Sequence, residues 1–101
     1  MKTDIDIDEY TAIFKALAHP TRLTIAYNLM KKPECNVNRM SECLNIPQPT
    51  VSQHLSILKN AKVIQGVRNG NQICYKVDNK KVIDILSQLE KNKKAADINL
   101  I

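Results

Sequence analysis

Apolar residues recur at helical spacing along the first third of the chain. The first helix, predicted over about residues 6–18, carries apolar side chains at i, i+3, i+4 and i+7: Tyr10, Ile13, Phe14 and Leu17. A second helix is predicted from Pro20, and its apolar residues occupy more than one side: Leu23, Ile25, Ala26, Tyr27, Leu29 and Met30. Because a helix that is apolar on more than one side must be covered on more than one side, the second helix is predicted to be central to the core.

The segment from Asn36 to Ser56 predicts two short helices joined by a tight turn. The first has an apolar face of Val37, Met40 and Leu44 and ends before Pro47, because the residue before a proline is disfavoured in helical conformation. Pro49 suits the first turn of the next helix, whose apolar stripe consists of Val51, Leu55 and Leu58. Its outward positions hold uncharged hydrogen-bonding side chains: Gln48, Thr50, Ser52, Gln53 and Ser56. A merely solvated face is usually rich in Lys and Glu, so this composition predicts a helix-turn-helix with a recognition helix.

The rest of the chain predicts a β-hairpin followed by a last helix. Asn69-Gly70 is a strong hairpin signal, with both turn positions expected at positive φ. On the returning strand one face is predicted to be buried (Ile73, Tyr75 and Val77) and the other polar (Gln72, Cys74 and Lys76). A hairpin directly after a recognition helix is a wing. The last helix is predicted to begin at Asn79 or Lys80, and residues 92–101 are predicted to be frayed.

These elements predict a mostly α single domain over residues 1–101, a winged helix-turn-helix in the order α-α-α-α-β-β-α. The last helix holds more apolar surface than docking on one small core requires. Together with the first helix it is therefore predicted to form a homodimer interface, with these residues: Tyr10, Ile13, Phe14, Val82, Ile85, Leu86 and Leu89.

The formal net charge of +5 is unevenly distributed along the chain. Four of the ten acidic residues precede Tyr10, and no carboxylate occurs between Cys43 and Val77. Such a surface suits phosphates, so double-stranded DNA is the predicted partner, the alternative being ordinary solvated lysines. The predicted DNA-binding residues are Gln48, Thr50, Ser52, Gln53, His54, Ser56, Lys59, Lys62, Arg68, Asn69, Asn71 and Lys76. For His54 the alternative is a partly buried, hydrogen-bonded histidine.

The chain has three cysteines, which cannot all pair with one another and are expected to be reduced thiols. Cys35 is predicted to lie in an exposed loop beside Lys31, Lys32 and Arg39, whose charge would favour its thiolate. Cys43 is placed at the edge of the third helix's apolar face and Cys74 on the polar side of the wing strand. All three are candidate thiol sensors, and the alternative for each is a packing or incidental surface residue.

Several classes of protein are excluded by what the sequence lacks. No apolar run approaches the roughly 20 residues that cross a bilayer, and an acidic N-terminal segment stands where a leader would be basic and then apolar, so a cytoplasmic protein without membrane contact is expected. With two glycines there is no Gly-rich phosphate loop, nor is there a nucleophile elbow or a His–carboxylate–nucleophile set. The chain is predicted not to be an enzyme and to need no cofactor.

Three segments resemble the ArsR/SmtB family of winged-helix repressors. Residues 17–23, Leu-Ala-His-Pro-Thr-Arg-Leu, are similar to the family's entry into its second helix. Residues 47–56, Pro-Gln-Pro-Thr-Val-Ser-Gln-His-Leu-Ser, resemble its recognition helix almost residue for residue, and Arg68-Asn69-Gly70 leading to Tyr75 is similar to its wing. The resemblance covers about Glu9 to Leu89 and implies a dimeric repressor that binds a palindromic operator and is released by a signal.

The departures from the family pattern concern the signal. Family members that bind thiophilic metals or arsenite use two cysteines entering the third helix, and this chain has Asn36 and Asn38 there, which are poor ligands for soft metals. The family's second metal site needs histidines on the last helix, and the only histidines here are His19 and His54. No metal ligand is therefore predicted, and the inducer is expected to be a thiol-based or other non-metal signal. The alternative from another class is a winged-helix protein-interaction module that has no operator of its own.

Overall fold

Five helices and three strands follow one another in the computed structural model, which describes residues 4–32 and 35–92 and, at Cys35, the backbone alone. The helices are α1 (Ile7–Leu17), α2 (Pro20–Lys31), α3 (Val37–Leu44), α4 (Gln48–Asn60) and α5 (Lys80–Lys91). The strands are β1 (Cys35–Asn36), β2 (Gln65–Asn69) and β3 (Gln72–Lys76). The predicted mostly α, winged helix-turn-helix class is confirmed, with β1 as an additional strand. The fraying predicted for residues 92–101 falls almost wholly outside the described residues.

Polar side chains cap the first turns of α1, α2 and α5. The Asp6 carboxylate accepts a hydrogen bond from the Glu9 backbone N–H at 3.0 Å and so caps α1. His19 Nδ1 accepts from the Thr21 N–H at 3.1 Å at the start of α2. Asn79 Oδ1 accepts from the Lys81 N–H at 3.0 Å at the start of α5. Each cap satisfies a backbone donor that the helix itself leaves unpaired.

The core forms around α2, which contacts α1, α4, α5 and β3, in agreement with its two-sided apolar pattern. The buried apolar residues form one cluster: Ile13, Ala16, Leu17, Ile25, Ala26, Leu29, Met40, Val51, Leu55, Leu58, Val63, Ile64, Val82 and Leu86. Within the described ranges, no helix has both the length and the hydropathy that crossing a membrane requires.

The sheet has the order β1-β3-β2, and both pairings are antiparallel. Because β1 pairs with β3, Cys35 lies in a strand opposite Tyr75, and the prediction that it lies in a loop is wrong. The predicted alternation on β3 is also wrong at two residues. Cys74 is buried at 9 % exposure, whereas Ile73 is 41 % exposed, although Tyr75 and Val77 do pack against the core.

The wing turn is Gly70-Asn71, one residue later than predicted, since Asn69 is still in β2 and pairs with Gln72. Among the described residues only Gly70, Asn45 and Lys62 have positive φ, so the expectation of two positive-φ residues at Asn69-Gly70 is wrong. Gly70 has a φ of 67°, which glycine adopts without steric cost. A single glycine at the first turn position is therefore sufficient to reverse the chain.

Candidate nucleic-acid interface

Helix α4 is held by a narrow apolar stripe and presents a polar surface outward. Val51, Leu55 and Leu58 are 0–2 % exposed and anchor the helix in the core. The uncharged polar residues predicted to read bases are all exposed: Gln48, Thr50, Ser52, Gln53 and Ser56. The structure thus brings five of the predicted DNA-binding side chains together on the outer surface of one rigid helix.

The turn that enters α4 has a defined geometry. Asn45 ends α3 in the left-handed conformation, with φ 56° and ψ 47°, and the Ile46 N–H donates to the Ser41 carbonyl at 3.2 Å. Ser41 Oγ also donates to the Ile46 carbonyl, at 2.5 Å. Asparagine is one of the few residues that tolerate this backbone region, so the angle between α3 and α4 is set by local chemistry.

The end of α4 has the same type of closure, with lysine in the position that glycine usually takes. Lys62 has a φ of 63°, its N–H donates to the Lys59 carbonyl, and the Val63 N–H donates to the Leu58 carbonyl, both at 2.9 Å. This is a Schellman motif, in which the residue with positive φ is most often glycine. The Lys62 carbonyl accepts a further hydrogen bond from Asn79 Nδ2 at 3.1 Å. Asn79 therefore connects the end of α4 to the start of α5.

Basic residues lie beside the reading surface. Lys59, Lys62 and Arg68 are exposed, and within the described part of the chain none of them has a carboxylate within ion-pair distance. Lys59 and Lys62 border an open cavity of about 480 Å³ between the end of α4, the start of β2 and Asn79. Lys76, by contrast, is half-buried and lies 4.0 Å from the Asp78 carboxylate. Lys59, Lys62 and Arg68 thus place positive charge without an ion-pair partner among the described residues at the end of α4 and on the wing.

The tip of the wing is polar and fully accessible. Arg68, Asn69 and Asn71 are exposed around Gly70, as expected for residues that follow a DNA backbone or enter a groove. Asn36 Nδ2 on β1 donates to Gln72 Oε1 at 2.9 Å and links the base of α3 to the wing.

His54, a predicted DNA contact, lies against the start of α2. Its ring lies 4.7 Å from the His19 ring, and its Nδ1 is buried without a hydrogen-bond partner among the described residues. Burial lowers the pKa of His54 from the ordinary 6.5, and the neighbouring His19 and Arg22 lower it further. Arg22 itself donates from Nε to the Ala16 carbonyl at 2.7 Å. His54 is half-buried and packs α4 against the start of α2, and its role as a DNA contact stays a prediction.

The cysteines also differ from their predicted settings. Cys43 is exposed on α3, where packing at the edge of the apolar face was predicted, and Cys74 is buried where a polar face was predicted. The side chain of Cys35 lies outside the described residues, so its candidacy as a thiol sensor stays a prediction. Among the residues that are described, no group of three or more His, Cys, Asp or Glu side chains is arranged to hold a metal ion.

The residues predicted for a dimer interface divide into two groups. Ile13, Val82 and Leu86 are 0 % exposed within one protomer, so their assignment to an interface is wrong, because each packs in the protomer's own core. Phe14 and Leu89 are 53 % and 42 % exposed. A set of apolar residues, which we call the α1–α5 face, remains exposed or half-buried on α1, on α5 and two residues before α1: Ile5, Ile7, Tyr10, Phe14, Ile85 and Leu89.

Polar contacts hold α5 against α1 and α2 beside this face. Lys81 forms an ion pair with Glu9 and lies 5.6 Å from the centre of the Tyr10 ring. Lys31 pairs with Glu90 at 3.0 Å, and the Tyr27 hydroxyl donates to the same carboxylate. The hydrogen bond to Glu90 raises the pKa of Tyr27, and the hydrogen bond to Glu9 raises that of Lys81. These contacts therefore fix the position of α5 relative to α1 and α2.

Two residues at the candidate nucleic-acid interface were not identified from the sequence. Ile57 on α4 is 43 % exposed. This agrees with its position about 100° around the helix from Leu58, the nearest residue of the buried stripe. Asn79 was placed only as the start of a helix, and its second hydrogen bond to Lys62 depends on contacts distant in sequence. A helical-wheel projection identifies the first residue, whereas no local pattern identifies the second.

The family model for the bacterial regulatory protein, arsR family, matches residues 19–65. The chain is 36% identical over 85 residues to the transcriptional repressor PagR of Bacillus anthracis, covering 84% of this chain and 85% of that protein. It is 39% identical over 71 residues to the HTH-type transcriptional repressor SmtB of Mycobacterium tuberculosis, covering 70% of this chain and about half (52%) of that relative's length.

The solved structures agree with these relationships. The crystal structure of PagR superposes with a TM-score of 0.76 at 36% identity, over 82% of this chain and 94% of the other. That of the transcriptional repressor BigR from Xylella fastidiosa superposes with a TM-score of 0.76 at 30% identity, over 87% and 89%. These relatives are named as repressors, in agreement with the prediction that the chain is not an enzyme. With its recognition helix, wing and sequence relatives all in accord, the chain belongs to the ArsR/SmtB family of winged helix-turn-helix transcriptional repressors.

Proposed function

We propose that the protein acts in the cytoplasm as a homodimeric repressor that binds a palindromic operator in double-stranded DNA through α4. The observation that carries this proposal is the outer surface of α4, where five uncharged hydrogen-bonding side chains are exposed on a helix anchored by residues of 0–2 % exposure. A helix of this kind fits the major groove, whose base edges present hydrogen-bond donors and acceptors.

Base reading is assigned to Gln48, Thr50, Ser52 and Gln53. The amide of Gln53 suits the two hydrogen bonds that adenine offers in the major groove, a contact that discriminates by ~1–3 kcal/mol. Lys59, Lys62 and Arg68 supply attraction to phosphates that does not depend on sequence, because none of them forms an ion pair with a carboxylate of residues 4–32 or 36–92. Asn69 and Asn71 at the wing tip would lie along the phosphates or in the adjacent minor groove.

The homodimer is proposed to form through the α1–α5 face. Five of its six apolar residues lie on α1 and α5, and Phe14, at 53 % exposure, would be its largest contribution. Isologous pairing of this face would place two α4 helices in successive major grooves, roughly 34–36 Å apart, and match them to a palindrome.

The signal that releases the operator is proposed to be thiol-based or otherwise non-metallic. Asn36, which occupies a family metal-ligand position, accepts the Arg39 N–H at 2.8 Å and caps α3. Its amide is thus engaged in structure rather than directed at an ion. Titration of the DNA-bound protein with zinc, arsenite and a mild oxidant tests this proposal. Release by either metal species at stoichiometric concentration would contradict it.

The test of DNA reading first selects an operator from random-sequence DNA with the wild-type protein. It then compares Gln53→Ala with Lys59→Ala on this operator and on random DNA, at several salt concentrations. We expect Gln53→Ala to lose discrimination at one base pair per half-site with an unchanged salt slope. Lys59→Ala should weaken both DNAs alike and lower the slope. Asn28→Ala, which removes an exposed amide from α2, is the matched control and should change neither. If Gln53→Ala binds both DNAs as the wild type does, the base-reading assignment is wrong.

A further inference from the structure

Ile57 is an exposed apolar side chain on a helix whose other exposed residues are almost all polar. It is 43 % accessible, whereas its neighbour Leu58 is fully buried. The other large apolar residues exposed to this degree in the described chain lie elsewhere: Ile5 and Ile7 at the first helix, Phe14 in that helix, Leu89 on α5 and Ile73 in the wing. Ile57 therefore does not belong to the α1–α5 face, and among the described residues it stays 43 % accessible.

Ile57 lies on the same side of α4 as two of the base-reading residues, Thr50 and Gln53. At 100° per residue, Ile57 lies about 40° around the helix from Gln53 and about 20° from Thr50. Thr50, Gln53 and Ile57 thus form one strip at i, i+3 and i+7 along the exposed side. The rise of about 1.5 Å per residue places Ile57 about 6 Å beyond Gln53, close to the separation of two base-pair steps.

The major groove has one apolar feature that such a side chain fits. Thymine carries a C5-methyl group at the groove surface, and the other three bases present only polar atoms or ring carbon there. The isoleucine side chain has no hydrogen-bonding group. Within a groove it therefore contributes to the free energy of binding only by excluding water from another apolar group.

We propose that Ile57 is a specificity-determining residue that packs on the C5-methyl group of a thymine in each operator half-site, about two base pairs from the base read by Gln53. The inference rests on the proposed function, since it requires α4 in the major groove. It adds an apolar contact to a reading surface that otherwise works through hydrogen bonds, and it defines a base that the polar residues do not specify.

The experiment replaces thymine by uracil, which lacks only the C5-methyl group, at each thymine of the selected operator in turn. The replacement is made in both half-sites together, and affinity is measured by fluorescence anisotropy. For the wild type we expect one thymine per half-site, one to three base pairs from the Gln53-dependent position, whose replacement weakens binding about fourfold per half-site. For Ile57→Ala the same replacement should have no effect.

Ile73→Ala is the matched control, because it makes the same change at a side chain of nearly equal exposure, 41 %, on the wing. It should retain the full uracil effect. Circular dichroism, thermal melting and sedimentation verify that each variant keeps its fold and oligomeric state. If no thymine in the wild-type operator is sensitive to uracil, the proposal is overturned.

Three further outcomes also overturn it: Ile57→Ala keeps the uracil effect, loses affinity equally for every DNA, or changes its oligomeric state. These outcomes leave the proposed function intact as long as the wild type prefers operator over random DNA. Absence of that preference in the wild type refutes the proposed function instead, before any variant is compared.

Discussion

Replacing Lys62 by glycine should stabilise the protein and weaken its binding to DNA at the same time. Lys62 holds the left-handed position of the Schellman motif at the end of α4, with a φ of 63°. A residue with a Cβ atom pays roughly 1–2 kcal/mol there, and glycine avoids this cost but loses roughly 0.5–1 kcal/mol through its freedom in the unfolded chain. The two backbone hydrogen bonds of the motif and the bond from Asn79 Nδ2 to the Lys62 carbonyl do not involve the Lys62 side chain and are retained.

The net gain in the free energy of unfolding is therefore about 0.5–1 kcal/mol, which corresponds to an increase in Tm of about 2–8 °C for a domain of this size. Loss of one phosphate contact per protomer lowers the salt slope of a dimer by about 1.8. Between 50 and 200 mM salt the wild type should then lose about twelvefold more affinity than the variant does. Thermal melts at equal protomer concentration and anisotropy titrations at four salt concentrations measure the two effects.

Two controls separate charge from backbone conformation. Lys59→Ala removes a lysine three residues earlier, in regular helix, and should lower the salt slope without raising Tm. Lys80→Ala removes a lysine already paired with Asp84 at 3.2 Å and should leave the slope unchanged. A Lys62→Gly variant that melts below the wild type would refute the argument from backbone conformation. An unchanged slope would refute the phosphate contact.

Three other variants test the assignments of buried and exposed residues. Because the pKa of His54 is lowered in the folded protein, the unfolded state binds more protons as pH falls below 6.5, so acid should destabilise the fold. His54→Gln should reduce the loss of stability between about pH 7 and pH 5 in urea titrations, and an unchanged pH profile would contradict the buried neutral histidine. Ile13→Ala should cost about 2–5 kcal/mol of protomer stability, because Ile13 is fully buried. Phe14→Ala should instead shift sedimentation equilibrium towards monomer with a smaller change in the urea midpoint of the monomer, and a wild-type association constant would exclude Phe14 from the interface.

The sequence was sufficient for the order of the helices, because each has a clear apolar period and a recognisable start, such as Pro20 or Asn79. It was insufficient where burial depends on distant segments. Cys74 was predicted to be on a polar face, but its side chain is buried at 9 % exposure, and the residues of β3 alone do not indicate which of its faces packs against the protomer. No signal in residues 35–36 indicates that they form the third strand.

The same limit applies to His54 and to the predicted interface. The period of α4 places His54 at the boundary of the buried stripe, and only the nearby start of α2 decides that its ring faces His19. Likewise the apolar faces of α1 and α5 cannot show which residues pack inside the protomer. Ile13, Val82 and Leu86 do so, whereas Phe14 and Leu89 remain exposed on the sides of α1 and α5 that face away from the core.

The single amide of Asn79 joins the two helices whose relative orientation matters most for a symmetric binder. This hydrogen bond links the start of α5 to the end of α4. In the proposed homodimer, a rotation of α5 would therefore also move the reading helix. Over the 42 Å extent of the protomer, a swivel of about 5° between paired α5 helices would displace a distal point by about one base-pair step. Any event that alters how two copies of α5 meet, however small, would therefore change the spacing of the two reading helices against a fixed DNA repeat.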